Sequence, residues 1–148
     1  MFLTFLGLFG FLGLLGFLYH VPMKLDRLRG RKITERVLRK GRVWKGQTMA
    51  VRSVWGAPRH PAADPLTGVY LGIITSAKLD ASSVRRNRMR RRCREAWRTA
   101  LQSRENLGPV QLLIAPRSSS LRAPFVHIQQ DVERFLATLS HGRPPAQE

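Results

Sequence analysis

One segment constrains this chain more than any other. Residues 84–98 read V-R-R-N-R-M-R-R-R-C-R-E-A-W-R, and eight of these fifteen positions are arginine. A packed core has no use for eight guanidinium groups in one short stretch. Helical charge runs that are merely solvated mix acids with bases, so that pairs one turn apart offset each other. Here the run carries a single acid, Glu95. With about 100° per residue, Met89, Cys93, Ala96, Trp97 and Ala100 gather on one side of a helix. Arg90, Arg91, Arg94 and Arg98 fall on the far side. Arg88 and Arg92 flank the apolar stripe, where their aliphatic stems can cover its edge. Ser82 or Ser83 supplies an N-cap, and the helix is expected from Val84 to about Gln102. Such a helix docks through a narrow seam and turns a wall of cations outward.

Its first turn sharpens the inference. Arg85, Arg86 and Arg88 crowd the end where the helix dipole is already positive, each unfavourable by ~0.3–1 kcal/mol before mutual repulsion. The same end offers free backbone N–H groups to an anion. A phosphate reverses the sign of both effects. Arginine also suits phosphate better than lysine, because its planar fork donates two bonds at once. Asn87 adds an amide able to bond phosphate, sugar or a base edge. The segment therefore points to a polyanionic partner, RNA in particular.

The rest of the chain agrees. It has 148 residues, enough for one domain with a modest core, and a formal net charge of +17 from 26 Lys plus Arg against 9 Asp plus Glu. Nucleic acid and an acidic membrane surface are the usual partners of so basic a chain. A lone cysteine, Cys93, excludes an intrachain disulfide and fits a reducing compartment. Residues 1–22 form an apolar extension without charge between Phe2 and Leu18. As a helix that run would span roughly 26 Å, close to a hydrocarbon core of ~30 Å. It lacks the charged leader and small-residue cleavage site of a signal peptide. Met23 opens M-K-L-D-R-L-R-G, an ordinary start for a basic soluble protein. Two readings stay open: a start-site extension outside the working protein, or a membrane segment.

Beyond it, residues 31–40 read as a short helix carrying Ile33, Val37 and Leu38, with Gly41 as its C′ residue. Residues 47–55 alternate as a strand, Met49, Val51 and Trp55 facing one way, Thr48 and Arg52 the other. Residues 56–68, with three prolines, form a loop. Residues 69–75 are a second strand, expected antiparallel to the first. Residues 110–115 are a continuous apolar run and hence a buried strand. A polar loop follows over residues 116–122. Pro124 opens a last helix with Phe125, Ile128, Val132, Phe135, Leu136 and Leu139 at steps of three and four. Residues 141–148 read as a disordered tail. The expected working domain is residues 23–140. Its order is helix, strand, strand, helix, strand, helix: an α+β two-layer sandwich with helices on a small mixed sheet.

R-R-N-R-M-R-R-R-C-R-E-A-W-R resembles the signature of the bacterial ribonuclease P protein subunit, R-N-R-x-[KR]-R-x-x-R-[EQ]. Arg86, Asn87, Arg88, Arg90, Arg91, Arg94 and Glu95 match it position by position. The resemblance extends over residues 25–139, including L-R-K-G at residues 38–41. It implies a left-handed strand–helix–strand crossover, which general topology would not suggest. It implies a helper protein that binds the catalytic RNA of ribonuclease P, one protein per RNA, and the 5′ leader of precursor tRNA. The RNA, with magnesium, removes the leader to give the mature 5′ end. RNA contacts would fall on Arg85, Arg86, Asn87, Arg88, Arg90, Arg91, Arg94 and Lys78. A leader cleft would involve Arg31, Thr34, Leu38 and Tyr70. Two departures stand out. Thr34 and Leu38 occupy positions that are often aromatic in the family, so Tyr70, Trp44 or Trp55 would have to supply any base stacking. The loop before the motif, S-A-K-L-D-A-S-S, keeps one cation, Lys78, and adds Asp80.

No protein active site is legible. The nine acids form no convincing pair for two metals, and Asp131 and Glu133 diverge on one helix. His20, His60, His127 and His141 are isolated, and no Cys/His spacing suggests zinc. The protein alone is expected to hold no cofactor or metal and to cut nothing. Its place would be the cytoplasm, with no membrane partner. The alternative is a general basic RNA-binding protein, for example ribosome-associated, without a role at the tRNA 5′ end.

Overall fold

A computed structural model describes residues 23–60, 68–104 and 107–141. The apolar extension, most of the proline-rich loop and the tail beyond residue 141 lie outside the described residues. The elements are β1 (Leu25–Arg27), α1 (Arg31–Lys40), β2 (Arg42–Lys45), β3 (Met49–Trp55), β4 (Val69–Ile73), α2 (Ser83–Gln102), β5 (Val110–Pro116), the short α3 (Ser119–Arg122) and α4 (Phe125–His141). The last helix thus runs through His141, where a tail had been expected to begin.

The five strands make one mixed sheet in the order β1-β4-β5-β3-β2. β5 is central because its run V-Q-L-L-I-A-P is apolar toward both faces, and only an interior strand buries both. It pairs antiparallel with β3, Met49 opposite Pro116 through Trp55 opposite Val110. It pairs parallel with β4, Val69 opposite Val110 through Ile73 opposite Ile114. Residues 69–75 therefore run antiparallel to β3, as expected, but the two strands are not neighbours. β5 inserts between those two strands, and β4 pairs parallel with β1 on its other side. The proline-rich connection thus joins two strands that are not adjacent in the sheet. β1 and β2, with three and four residues, carry no legible period and exist through their neighbours' hydrogen bonds.

The strand period of two sorts side chains into two cores. Met49, Val51, Val69, Leu71, Val110, Leu112 and Ile114 face α2 and α4 and build the main one. There α2 contributes Cys93, Ala96 and Trp97, and α4 contributes Ile128, Val132, Phe135 and Leu136. Tyr70 and Leu113 point the opposite way and pack with Leu28 and Val37 under α1. The main sandwich is the expected one, and α1 adds a partial cover on the second face. Asp131, 1% exposed, ties the β2–β3 turn to α4: its Oδ2 accepts from the backbone N–H and the hydroxyl of Thr48, both at 2.7 Å.

Gly41 ends α1 without the left-handed turn expected of a C′ glycine. Its φ is −68°, and its N–H donates to the Val37 carbonyl at 2.8 Å. Glycine is needed for space: a Cβ there would lie 2.3 Å from that oxygen.

Candidate nucleic-acid interface

α2 is held where the periodicity placed it. Met89, Cys93, Ala96 and Trp97 are at most 1% exposed, and the edge of Phe135 meets the Trp97 ring at a centroid distance of 5.6 Å. Burial pushes the Cys93 thiol up to about 12, against a smaller downward pull from Arg92. A thiol so protonated is packing, not a nucleophile.

The arginines divide into two groups. The first is engaged inside the protein. Arg92 donates to the carbonyls of Ser120 at 2.6 Å, Leu121 at 2.9 Å and Ala123, closing α3 onto α2. Arg86, half-buried, donates to the carbonyls of Asp80 at 2.7 Å and Ala81 at 2.9 Å. Arg85 lies 3.6 Å from the Asp80 carboxylate, which also accepts from the Ser82 N–H at 2.8 Å. Ser82 caps the helix by accepting from the Arg85 N–H at 3.4 Å. Arg90 donates to the Asn87 amide oxygen at 2.8 Å. Arg98 pairs with Glu95 at 2.6 Å, a bond that lowers the carboxyl's proton affinity and raises that of the guanidinium.

The second group is Arg88, Arg91 and Arg94. All three are exposed, and among the described residues none has a hydrogen-bond or ion-pair partner. Arg91 and Arg94 share the outward face with Asn87, and Arg88, expected to cover the edge of the stripe, stands exposed beside them. Lys78 stands exposed on the turn before the helix, where the Leu79 N–H donates to the Ser76 carbonyl. Asp80 folds the loop against the positive helix end, where an anion is favourable.

The second candidate surface is α1 and the sheet face beneath it. Arg31 is exposed and bonded to Glu35 at 2.8 Å. The Thr34 hydroxyl donates to the Gly30 carbonyl at 3.1 Å. Leu38 is 41% exposed, and its carbonyl accepts from Arg52 at 2.8 Å. Arg52 sits opposite Val43, itself 46% exposed. Val43 and Arg52 therefore join Leu38 on an open surface that the sequence reading did not include. The only signal was the four-residue β2, too short to show a period. Tyr70 does not serve as a stacking platform. It is 3% exposed in the second core, and its accessible edge faces a pocket of about 190 Å³ with Arg27, Arg29 and His60. Trp44 and Trp55 pack against the main core, on the sheet face opposite α1. A strand lying along α1 cannot stack on them.

Among the described residues no group of three His, Cys, Asp or Glu side chains could hold a metal. Glu133 instead pairs with Arg104 at 2.6 Å. No described helix is long and apolar enough to cross a membrane.

This architecture recurs in solved structures. A Staphylococcus aureus ribonuclease P protein matches at 21% identity over 76% of this chain and 93% of its own, with a TM-score of 0.58. A variant of that protein, described as defective in mRNA degradation activity, matches at 20% identity over 88% and 95%, with a TM-score of 0.61. Ribonuclease P protein from Thermotoga maritima matches at 18% identity over 80% and 99%, with a TM-score of 0.57. At such identities the likeness establishes a shared fold. The ribonuclease P family model matches residues 23–140, most of the chain. The chain belongs to the ribonuclease P protein family and is a protein subunit of that kind.

Proposed function

We propose that the protein binds the catalytic RNA of ribonuclease P through the outward face of α2, with Arg88, Arg91, Arg94 and Asn87 as direct phosphate contacts. Lys78 extends this surface at the N-terminal end. Arg85 and Arg86 add charge while tying the Asp80 loop to the helix, and Arg90 adds charge while bonded to Asn87. One observation carries the reading: three neighbouring guanidinium groups stand without a partner among the described residues. Like charges gathered this closely are unfavourable until an anion arrives, and a folded RNA supplies phosphates at that density.

The 5′ leader of precursor tRNA lies on the open surface of α1, along Arg31, Thr34 and Leu38, with Val43 and Arg52 from the sheet. Leu38 and Val43 give apolar contact, and Arg52 meets the backbone. The protein thereby assists removal of the leader, one protein per RNA, in the cytoplasm. In this reading the magnesium of the reaction acts together with the RNA.

The test is cleavage of a precursor tRNA at low magnesium, by catalytic RNA alone and with protein added. Turnover should rise with the protein and fall back when Arg88, Arg91 and Arg94 are replaced. Turnover indifferent to the protein would leave only the general RNA-binding reading. Purified protein without RNA should leave precursor tRNA intact. The activity named for the Staphylococcus aureus variant makes messenger RNA a necessary second substrate in that control.

A further inference from the structure

A groove of about 670 Å³ opens between the β2–β3 hairpin and the last turns of α4. Its aromatic lining lies on the sheet face opposite α1, and it meets the proposed leader surface only at Val43, on the β2 edge. Arg42, Trp44, Ser53 and Trp55 line one side, and Phe135 and Leu139 line the other. The register explains the opening. Arg42 faces Ser53 at the start of β2, so Trp55, two residues further along β3, has no β2 neighbour. Its indole stays half-buried at the groove. Trp44 is held in place by an edge-to-face contact with Phe135 at 5.6 Å and by Gly46, where a Cβ would come within 2.6 Å of its ring.

Two half-buried indoles beside a guanidinium form a defined chemical environment. Aromatic faces accept stacked bases regardless of sequence, and a neighbouring cation accepts the phosphate. The Arg42 guanidinium has no hydrogen-bond or ion-pair partner among the described residues, and no acid lines the groove. A volume of this size falls within the range of small-ligand sites and accommodates a nucleotide. The chain's charge of +17 disfavours a second copy as occupant. We infer that this groove binds a nucleotide of single-stranded RNA, its base against Trp55 and Trp44 and its phosphate on Arg42. The site is a second RNA contact and does not depend on the leader assignment.

The chain has three tryptophans, and Trp97 is fully buried. All three emit, but a stacked ligand can quench only Trp44 and Trp55, which reach the groove. The probe is pentaadenylate added to the full chain, and to a variant with Arg88, Arg91 and Arg94 changed to Gln. Stacking should quench emission in both. Arg42→Gln, at an exposed position, should weaken binding several-fold, and Trp55→Leu should weaken it about tenfold. Trp55→Phe, which keeps a smaller aromatic face, should fall between, with thermal melts checking that each variant folds. An abasic pentamer of equal charge should bind at least several-fold more weakly. The inference fails if pentaadenylate does not quench the full chain, if the abasic pentamer binds equally, or if Arg42→Gln and Trp55→Leu change nothing. Quenching that appears only after residues 1–22 are removed would show that the chain's own apolar run fills the groove, and would also overturn it.

Discussion

α1 and α2 both present cations, but they are anchored very differently. α2 buries Met89, Cys93, Ala96, Trp97, Ala100 and Leu101, whereas α1 buries only Val37. Deep anchoring lets α2 hold unpaired guanidinium groups at fixed spacing, since the core, not the charges, decides the helix position. α1 rests on a small second core and leaves Leu38 open. A rigid comb suits a folded RNA whose phosphates are themselves fixed. A lightly seated helix suits a single strand that must be accommodated.

The largest effect that could break this contrast is in the main core. Trp97→Ala should lower stability by about 3–5 kcal/mol in a denaturant titration, whereas Val37→Ala should cost only about 1–2 kcal/mol. Equal losses would mean that α1 is as firmly seated as α2. Next comes the outward face. Replacing Arg88, Arg91 and Arg94 with Ala should weaken association with the catalytic RNA by roughly 3–4 kcal/mol at moderate salt. The log–log salt slope should drop by about 2–3 units, with the melting temperature nearly unchanged. An unaltered slope would remove these side chains from the interface.

Arg92 sharpens the comparison within α2. Arg92→Ala should destabilise the fold by roughly 1.5–3 kcal/mol, because three carbonyls lose a charged donor. RNA affinity measured on the folded fraction should stay within about twofold. The reverse pattern would assign Arg92 to the RNA. The smallest effect concerns pH. Cys93 has its pKa raised from 9.0 to about 12, so over that interval the unfolded chain releases a proton that the folded chain keeps. The stabilisation is complete below about pH 9 and is lost as pH rises toward 12. Melting curves of Cys93→Ala should therefore fall less steeply between about pH 9 and pH 11 than those of the parent chain. Identical slopes would place the thiol in contact with solvent.

Much of this was written in local pattern. The apolar stripe of α2 and the steps of three and four in α4 are properties of a helix of 3.6 residues per turn, whatever surrounds it. The double-sided apolar run of β5 likewise announces a buried strand. β1 and β2 were not legible, because three or four residues show no period and become strands only when a neighbour offers hydrogen bonds. The site was legible as a class of side chains, not as individuals. Helix geometry puts Arg92 beside the apolar stripe and Arg91 opposite it, but nothing in R-R-R-C-R tells that Arg92 meets the carbonyls of α3.

Composition and periodicity alone thus determined that one helix would carry a dense cationic face on an apolar seam. Both follow from side-chain chemistry and helix geometry within a few turns. Tertiary structure decided which cations remain unpaired, which sheet face each tryptophan joined, and that β5 would separate β3 from β4. Those outcomes depend on how the chain folds back: the distant α3 carbonyls that take Arg92, the turn that brings the preceding Asp80 loop onto Arg85 and Arg86, and the burial available only at the centre of the sheet.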